Sequence, residues 1–119
     1  SIARPLSADF FYTRYKCELK VRQWQQALLD IARTCYLSPK EPTYFAEWAS
    51  LDLRVKRYDK GIKAAQACIE LAPEYADGYL LLGLLQAEKG NKVEAKKNLL
   101  KAKELGDTRV DEYMKKYKL

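Results

Sequence analysis

The chain has no histidine, and its 119 residues include only three cysteines, one methionine, five glycines and four prolines. Histidine is the commonest general base and metal ligand at neutral pH, and no serine or cysteine here has a candidate base beside it. No cysteine pair has metal-binding spacing, and no glycine-rich loop is present to cradle a phosphate. The chain is therefore expected not to be an enzyme, and no cofactor, metal or small-molecule substrate is expected. Charged neighbours at helical spacing, Asp52 with Lys56 and Glu70 with Glu74, read as surface charge rather than as an acid and base. Also missing is any run of the ~18 apolar residues a membrane span needs, and no charged-apolar-small signal pattern is visible. The chain begins Ser1-Ile2-Ala3, so a signal or lipid-anchor segment could be missing, and the compartment stays open. The three cysteines, Cys17, Cys35 and Cys68, fall at inward places of helical patterns and read as buried small hydrophobes.

What the chain does contain is a register. Pro39, Pro73 and Asp107 are equally spaced, and Ala27, Gly61 and Ala95 keep the same interval. So do Ile31, Ala65 and Leu99, and again Leu37, Leu71 and Leu105, with Trp24 and Tyr58 followed one position late by Val93. Three blocks, 8–41, 42–75 and 76–109, align without insertion. Recurrent apolar places at fixed offsets mark a repeated packing unit. Tyr44, Trp48, Leu51 and Val55 run at the i, i+4, i+7 spacing of an amphipathic helix. The scarce glycines and prolines sit mostly at the expected turns, so local propensity agrees with an all-α fold in one domain covering 1–119. Ser7 is a candidate N-cap. Thr108 to Asp111 has the look of a capping box, opening a last helix over about 108–118 whose apolar face is Val110, Tyr113, Met114 and Tyr117. That helix is expected to cap the exposed edge of the last repeat.

A 34-residue period of two helices resembles the tetratricopeptide repeat family. The third block carries its pattern in Tyr79, Leu82-Gly83, Gly90-Asn91, Ala95, Leu99, Ala102 and Leu105. The second has Phe45, Trp48-Ala49, Tyr58, Gly61, Ala65, Cys68, Leu71 and Pro73. The first keeps Phe11, Trp24, Ala27, Leu37 and Pro39 but puts Tyr15 where the family has a small residue. The resemblance implies a right-handed superhelix of three hairpins whose first helices line a concave groove for a partner's peptide or helix.

By register, the implied groove runs from polar Tyr12, Lys16, Lys20, Ser50 and Arg54 to apolar Leu53, Leu80 and Leu84. Tyr12, Leu53, Leu80 and Leu84 are the expected anchors, and Lys16, Lys20 and Arg54 would orient an acidic flank of the ligand. Family members that hold chaperone tails use Lys, Asn and Arg. At those places this chain has Tyr12, Lys16, Glu47, Asp77 and Leu81, a poor match for a peptide carboxylate. The expected function is a protein-interaction module. The alternative is an assembly part that self-associates as a homo-oligomer or packs on a longer chain. The net charge of +6 and the cluster Lys92, Lys96, Lys97, Lys101 and Lys103 leave nucleic acid as a lesser reading. Glu94 and Glu104 interrupt that cluster, which reads as a solvated helix face.

Overall fold

The computed structural model describes residues 6–119, and among them every regular element is helical. Three hairpins, α1 (Ala8–Lys20) with α2 (Trp24–Leu37), α3 (Pro42–Arg54) with α4 (Tyr58–Leu71) and α5 (Ala76–Glu88) with α6 (Lys92–Glu104), are followed by α7 (Val110–Lys116). Equivalent helices start at the interval of the sequence register. The stack measures 58 × 27 × 22 Å, and its radius of gyration of 15.1 Å exceeds the ~13.5 Å of a compact chain of this length. Each hairpin buries its face against the next, the elongated form a stacked repeat produces.

The helix ends follow from local chemistry. The Ser7 hydroxyl accepts from the Phe10 amide at 3.3 Å, and Pro42 opens α3 with a φ already suited to a helix. The turn inside each hairpin needs one residue in the left-handed region, filled by Arg22 (φ 58°), Lys56 (φ 64°) and Gly90 (φ 85°), again at the repeat interval. Only the third hairpin has glycine there, where the conformation costs least. The expected capping box is absent. Asp107, not Thr108, accepts the Arg109 amide at 2.8 Å, and Asp111 accepts from Lys103 Nζ at 2.9 Å. Arg109, the residue before α7, already has helical dihedrals, which rules out the extended geometry a side-chain cap requires.

The core is layered along the stack. Tyr15, Ala27, Ile31 and Leu51 fill the first interface, and Ala49, Ala65, Leu82 and Leu85 the second. Tyr15 is buried and its hydroxyl donates to Glu47 Oε2 at 2.9 Å, so the large residue at the small-residue place reaches forward into the second hairpin. At the same place in α5 stands Gly83, where a Cβ would lie 2.8 Å from Leu99 Cγ and 3.1 Å from the Ala95 carbonyl oxygen. Gly83→Ala should therefore cost about 1 kcal/mol, the clash outweighing alanine's helix preference. A urea midpoint equal to or above the parent's would refute this.

Three sequence expectations change. Val93 is 81% exposed, because the in-register start of α6 is Lys92. Cys17 is exposed, since among the described residues no hairpin packs on that side of α1, whereas Cys35 and Cys68 are buried. Burial pushes the Cys35 thiol up to about 12 and the Cys68 thiol to about 11, which keeps both protonated and unreactive. Asp52, expected at the surface, is fully buried, and among the described residues neither of its carboxylate oxygens is hydrogen-bonded.

Candidate functional site

The first helices of the hairpins, α1, α3 and α5, supply one continuous face. Two adjoining cavities open on it. One, about 290 Å³, lies among Leu19, Arg22, Trp24 and Arg54; the other, about 360 Å³, lies among Tyr12, Thr43, Tyr75, Asp77, Leu81 and Arg109. Glu47 and Ser50 of α3 line both and form the wall between them.

Helical periodicity explains this arrangement. Thr43, Glu47, Ser50 and Arg54 recur every three or four residues, so α3 turns them all to the same side. Tyr12 lies with its ring centroid 4.9 Å from that of Tyr44 and under the Lys16 ammonium at 4.8 Å. Burial, then the charge of Glu47, raises the Tyr12 phenol above its ordinary value, so it stays a donor. Arg54 stacks on the Trp24 ring at 5.2 Å, which fixes the guanidinium while leaving its edge donors open. At the far end Arg109 donates to Asp107 at 2.7 Å and reaches Asp77 at 3.4 Å, and the Tyr75 hydroxyl donates to Asp77 at 2.8 Å. Burial, then that bond to Asp77, pushes the Tyr75 phenol up to about 12.

Of the residues assigned to the groove from sequence, Lys16, Lys20, Ser50 and Arg54 are exposed, and Tyr12 and Leu53 are half-buried. Leu80 and Leu84 are not open anchors. They are 4% and 5% exposed and pack with Leu99, Ala102 and Val110, with Leu53, Tyr113, Met114 and Tyr117 against them. The chain covers its own leucine strip with α7. Half-buried Leu81 remains on the open cavity and Leu80 keeps an edge on it, whereas Leu84 lines neither cavity. The expected anchors passed over Trp24, Arg22 and Arg109. Register was the available signal for the last: Arg109 stands one full repeat after Tyr75 and lines the same cavity.

No family model matches the chain. Over 85 residues, 71% of its length, it is 27% identical to U-box domain-containing protein 70 of Oryza sativa subsp. japonica, and it spans 11% of that protein. Solved structures superpose more completely. The first tetratricopeptide-repeat unit of Spaghetti (RPAP3), bound to the HSP90 peptide SRMEEVD, aligns with a TM-score of 0.87 at 18% identity, over 94% of this chain and 90% of that one. YrrB, a tetratricopeptide-repeat protein with an unusual peptide-binding site, aligns at 0.86 and 23% identity over 94% of this chain and 58% of its own. The Yersinia enterocolitica type III secretion chaperone SycD, in complex with a peptide of the translocator YopD, aligns at 0.84 and 16% identity over 92% and 91%. The chain has the tetratricopeptide-repeat superhelical fold.

Proposed function

We propose that the chain is a non-enzymatic peptide-recognition module that holds a segment of a partner protein along the face of α1, α3 and α5. The supporting observation is the pair of adjoining open cavities divided by Glu47 and Ser50, long enough together for several residues of an extended ligand. Exposed Lys16, Lys20 and Arg54 place positive charge at the end nearer α1, and there they orient an acidic stretch of the ligand. Tyr12 and Leu81, which line the second cavity, supply the apolar contacts. Spaghetti and SycD in their peptide complexes have the same fold, which supports the reading.

The test is selection of a random peptide library on the purified chain, repeated with Lys16→Glu, Arg54→Glu. Enriched peptides should bind the double variant at least about tenfold more weakly. Equal enrichment by both proteins would remove the groove assignment. The peptide SRMEEVD should not bind measurably, because Glu47 and Asp77 stand at places where the family members that hold chaperone tails use cations and amides, and like charges across a partly desolvated groove are unfavourable. Its binding at low salt would overturn the assigned specificity.

A further inference from the structure

The side of α3 turned away from the two cavities carries Phe45 and Trp48. At about 100° per residue they sit roughly 170° around the helix from the centre of Thr43, Ala46, Glu47, Ser50 and Arg54. They form a common wall of two further clefts. The larger, about 670 Å³, is completed by Phe11 of α1 and by Leu29, Ala32 and Tyr36 of α2. The smaller, about 260 Å³, lies between the two aromatic rings and Lys60, Lys63 and Ala67 of α4. Tyr36 is 85% exposed and Leu29 51%, so large apolar groups that the fold could have buried face solvent together. An apolar surface of this kind, rimmed by polar groups, is characteristic of an interaction site.

The charged side chains that line these clefts, Arg33, Lys60 and Lys63, have one sign, and among the described residues no carboxylate lines either cleft. Arg33, at the rim of the larger, is tied to buried Asp30 at 2.9 Å, but among the described residues Lys60 and Lys63 form no ion pair. A second copy of the chain is a poor occupant. In a two-fold dimer the same patch meets itself, so Arg33, Lys60 and Lys63 would find no carboxylate of the clefts to pair with, on a chain whose net charge is already +6. A segment of opposite charge meets no such penalty.

We infer that this face docks an acidic amphipathic segment of a partner protein: its aromatic or leucyl side chains enter the cleft between Tyr36 and Trp48, and its carboxylates pair with Lys60 and Lys63. Apolar anchors supply affinity in such an arrangement, and the charged rim sets orientation and association rate. The site is separate from the groove proposed above and does not depend on it.

The two tryptophans report on the two surfaces separately, since Trp24 lies under Arg54 and Trp48 lines the clefts. In a Trp24→Phe background, Trp48 emission would be followed on adding short synthetic helical peptides with Glu and Asp on one face and Leu and Phe on the other. Lysine-for-glutamate and alanine-for-Leu/Phe counterparts serve as controls. The expected result is a saturable change with the acidic peptides, weakened by salt and absent with both controls. It should weaken at least about tenfold in Leu29→Glu, Tyr36→Glu and in Lys60→Ala, Lys63→Glu. All four positions are exposed, and circular dichroism would confirm that the variants fold. The inference is overturned if no acidic peptide binds up to about 1 mM, or if the lysine counterpart binds equally well. It is also overturned if sedimentation shows a dimer that Tyr36→Glu dissociates, which would assign the face to a second copy.

Discussion

Val110→Asp should lower the melting temperature by more than about 10 °C, the largest stability effect expected of any single substitution on α7. Val110 is 1% exposed, packed in one cluster with Leu80, Leu84, Leu99 and Ala102. Its side chain alone accounts for about 1.5 kcal/mol of burial, and an aspartate there would have to be desolvated without a partner or would force α7 off its seat. Either outcome costs about 3 to 4 kcal/mol, and for a domain of this size each kcal/mol is worth about 4 °C. Detachment of α7 would also uncover Leu80 and Leu84. The variant should therefore bind a hydrophobic dye before its melting transition, where the parent does not. Lys115→Asp, on the exposed side of the same helix, controls for added charge and should melt within about 2 °C of the parent. If Val110→Asp melts with the parent, α7 is a tail rather than part of the core.

The same cluster shows where sequence reasoning reaches and where it stops. The block starts Ala8, Pro42 and Ala76 and the recurrent places Trp24 and Tyr58 were legible and open helices, because a 34-residue register needs only local spacing and turn chemistry, whereas the second helix of the third hairpin opens at Lys92 and not at Val93. The apolar face Val110, Tyr113, Met114 and Tyr117 was legible too, and it does cap the last hairpin. What the pattern does not contain is reach. The cap leans across α5 as well as α6, so Leu80 and Leu84, which by register belong to the open face, are closed over. A register states which side of a helix a residue is on, but not whether a later segment returns to cover that side. Cys17 departs for the same reason in reverse: its place is an inward one only where another hairpin packs on that side, and among the described residues none packs so on α1.

Polar residues inside the stack were hidden by their chemistry. A charged or amide side chain is read as exposed by default, yet Glu18, Asp52 and Gln86 occupy one place of the repeat and all turn toward the second helix of their own hairpin. Facing them, likewise in register, are Asp30, Ala64 and Asn98. In the third hairpin Asn98 Nδ2 donates to Gln86 Oε1 at 2.7 Å. In the first, buried Asp30 is held by Arg14 at 2.7 Å and Arg33 at 2.9 Å. Burial, then bonding to Asp30, raises the Glu18 carboxyl, while Arg14 above all holds Asp30 down. The second hairpin has alanine where the others have a polar group, and Asp52 is left with Arg57 at 3.7 Å, beyond hydrogen-bonding distance.

Asp52→Asn should therefore stabilise the chain at pH 7.5 by about 2 kcal/mol and leave it unchanged near pH 4.5. Burial pushes the Asp52 carboxyl up to about 6, with Arg57 and Lys60 only partly opposing. Between the ~4 of an unfolded aspartate and that value, the folded chain keeps a proton the unfolded chain has released. Stability then falls as pH rises through this window and is level above it. Glu18, also raised, acts in the same direction. Groups held low, such as Asp30 beside Arg14 and Asp59 beside Lys89, contribute stability that is lost only as pH falls below about 4, outside the measured range. The rising positive charge of a chain with net +6 at neutral pH is common to parent and variant, so their difference isolates the Asp52 contribution. Urea unfolding at intervals from pH 4.5 to 8 reads it directly, and parallel curves for the two proteins would show that Asp52 is solvated and ordinary. Ala64→Asn, which restores the polar partner while keeping the carboxylate, should flatten the parent's pH dependence as well. If it does not, desolvation by the surrounding core, rather than the missing partner at position 64, governs the cost of this carboxylate.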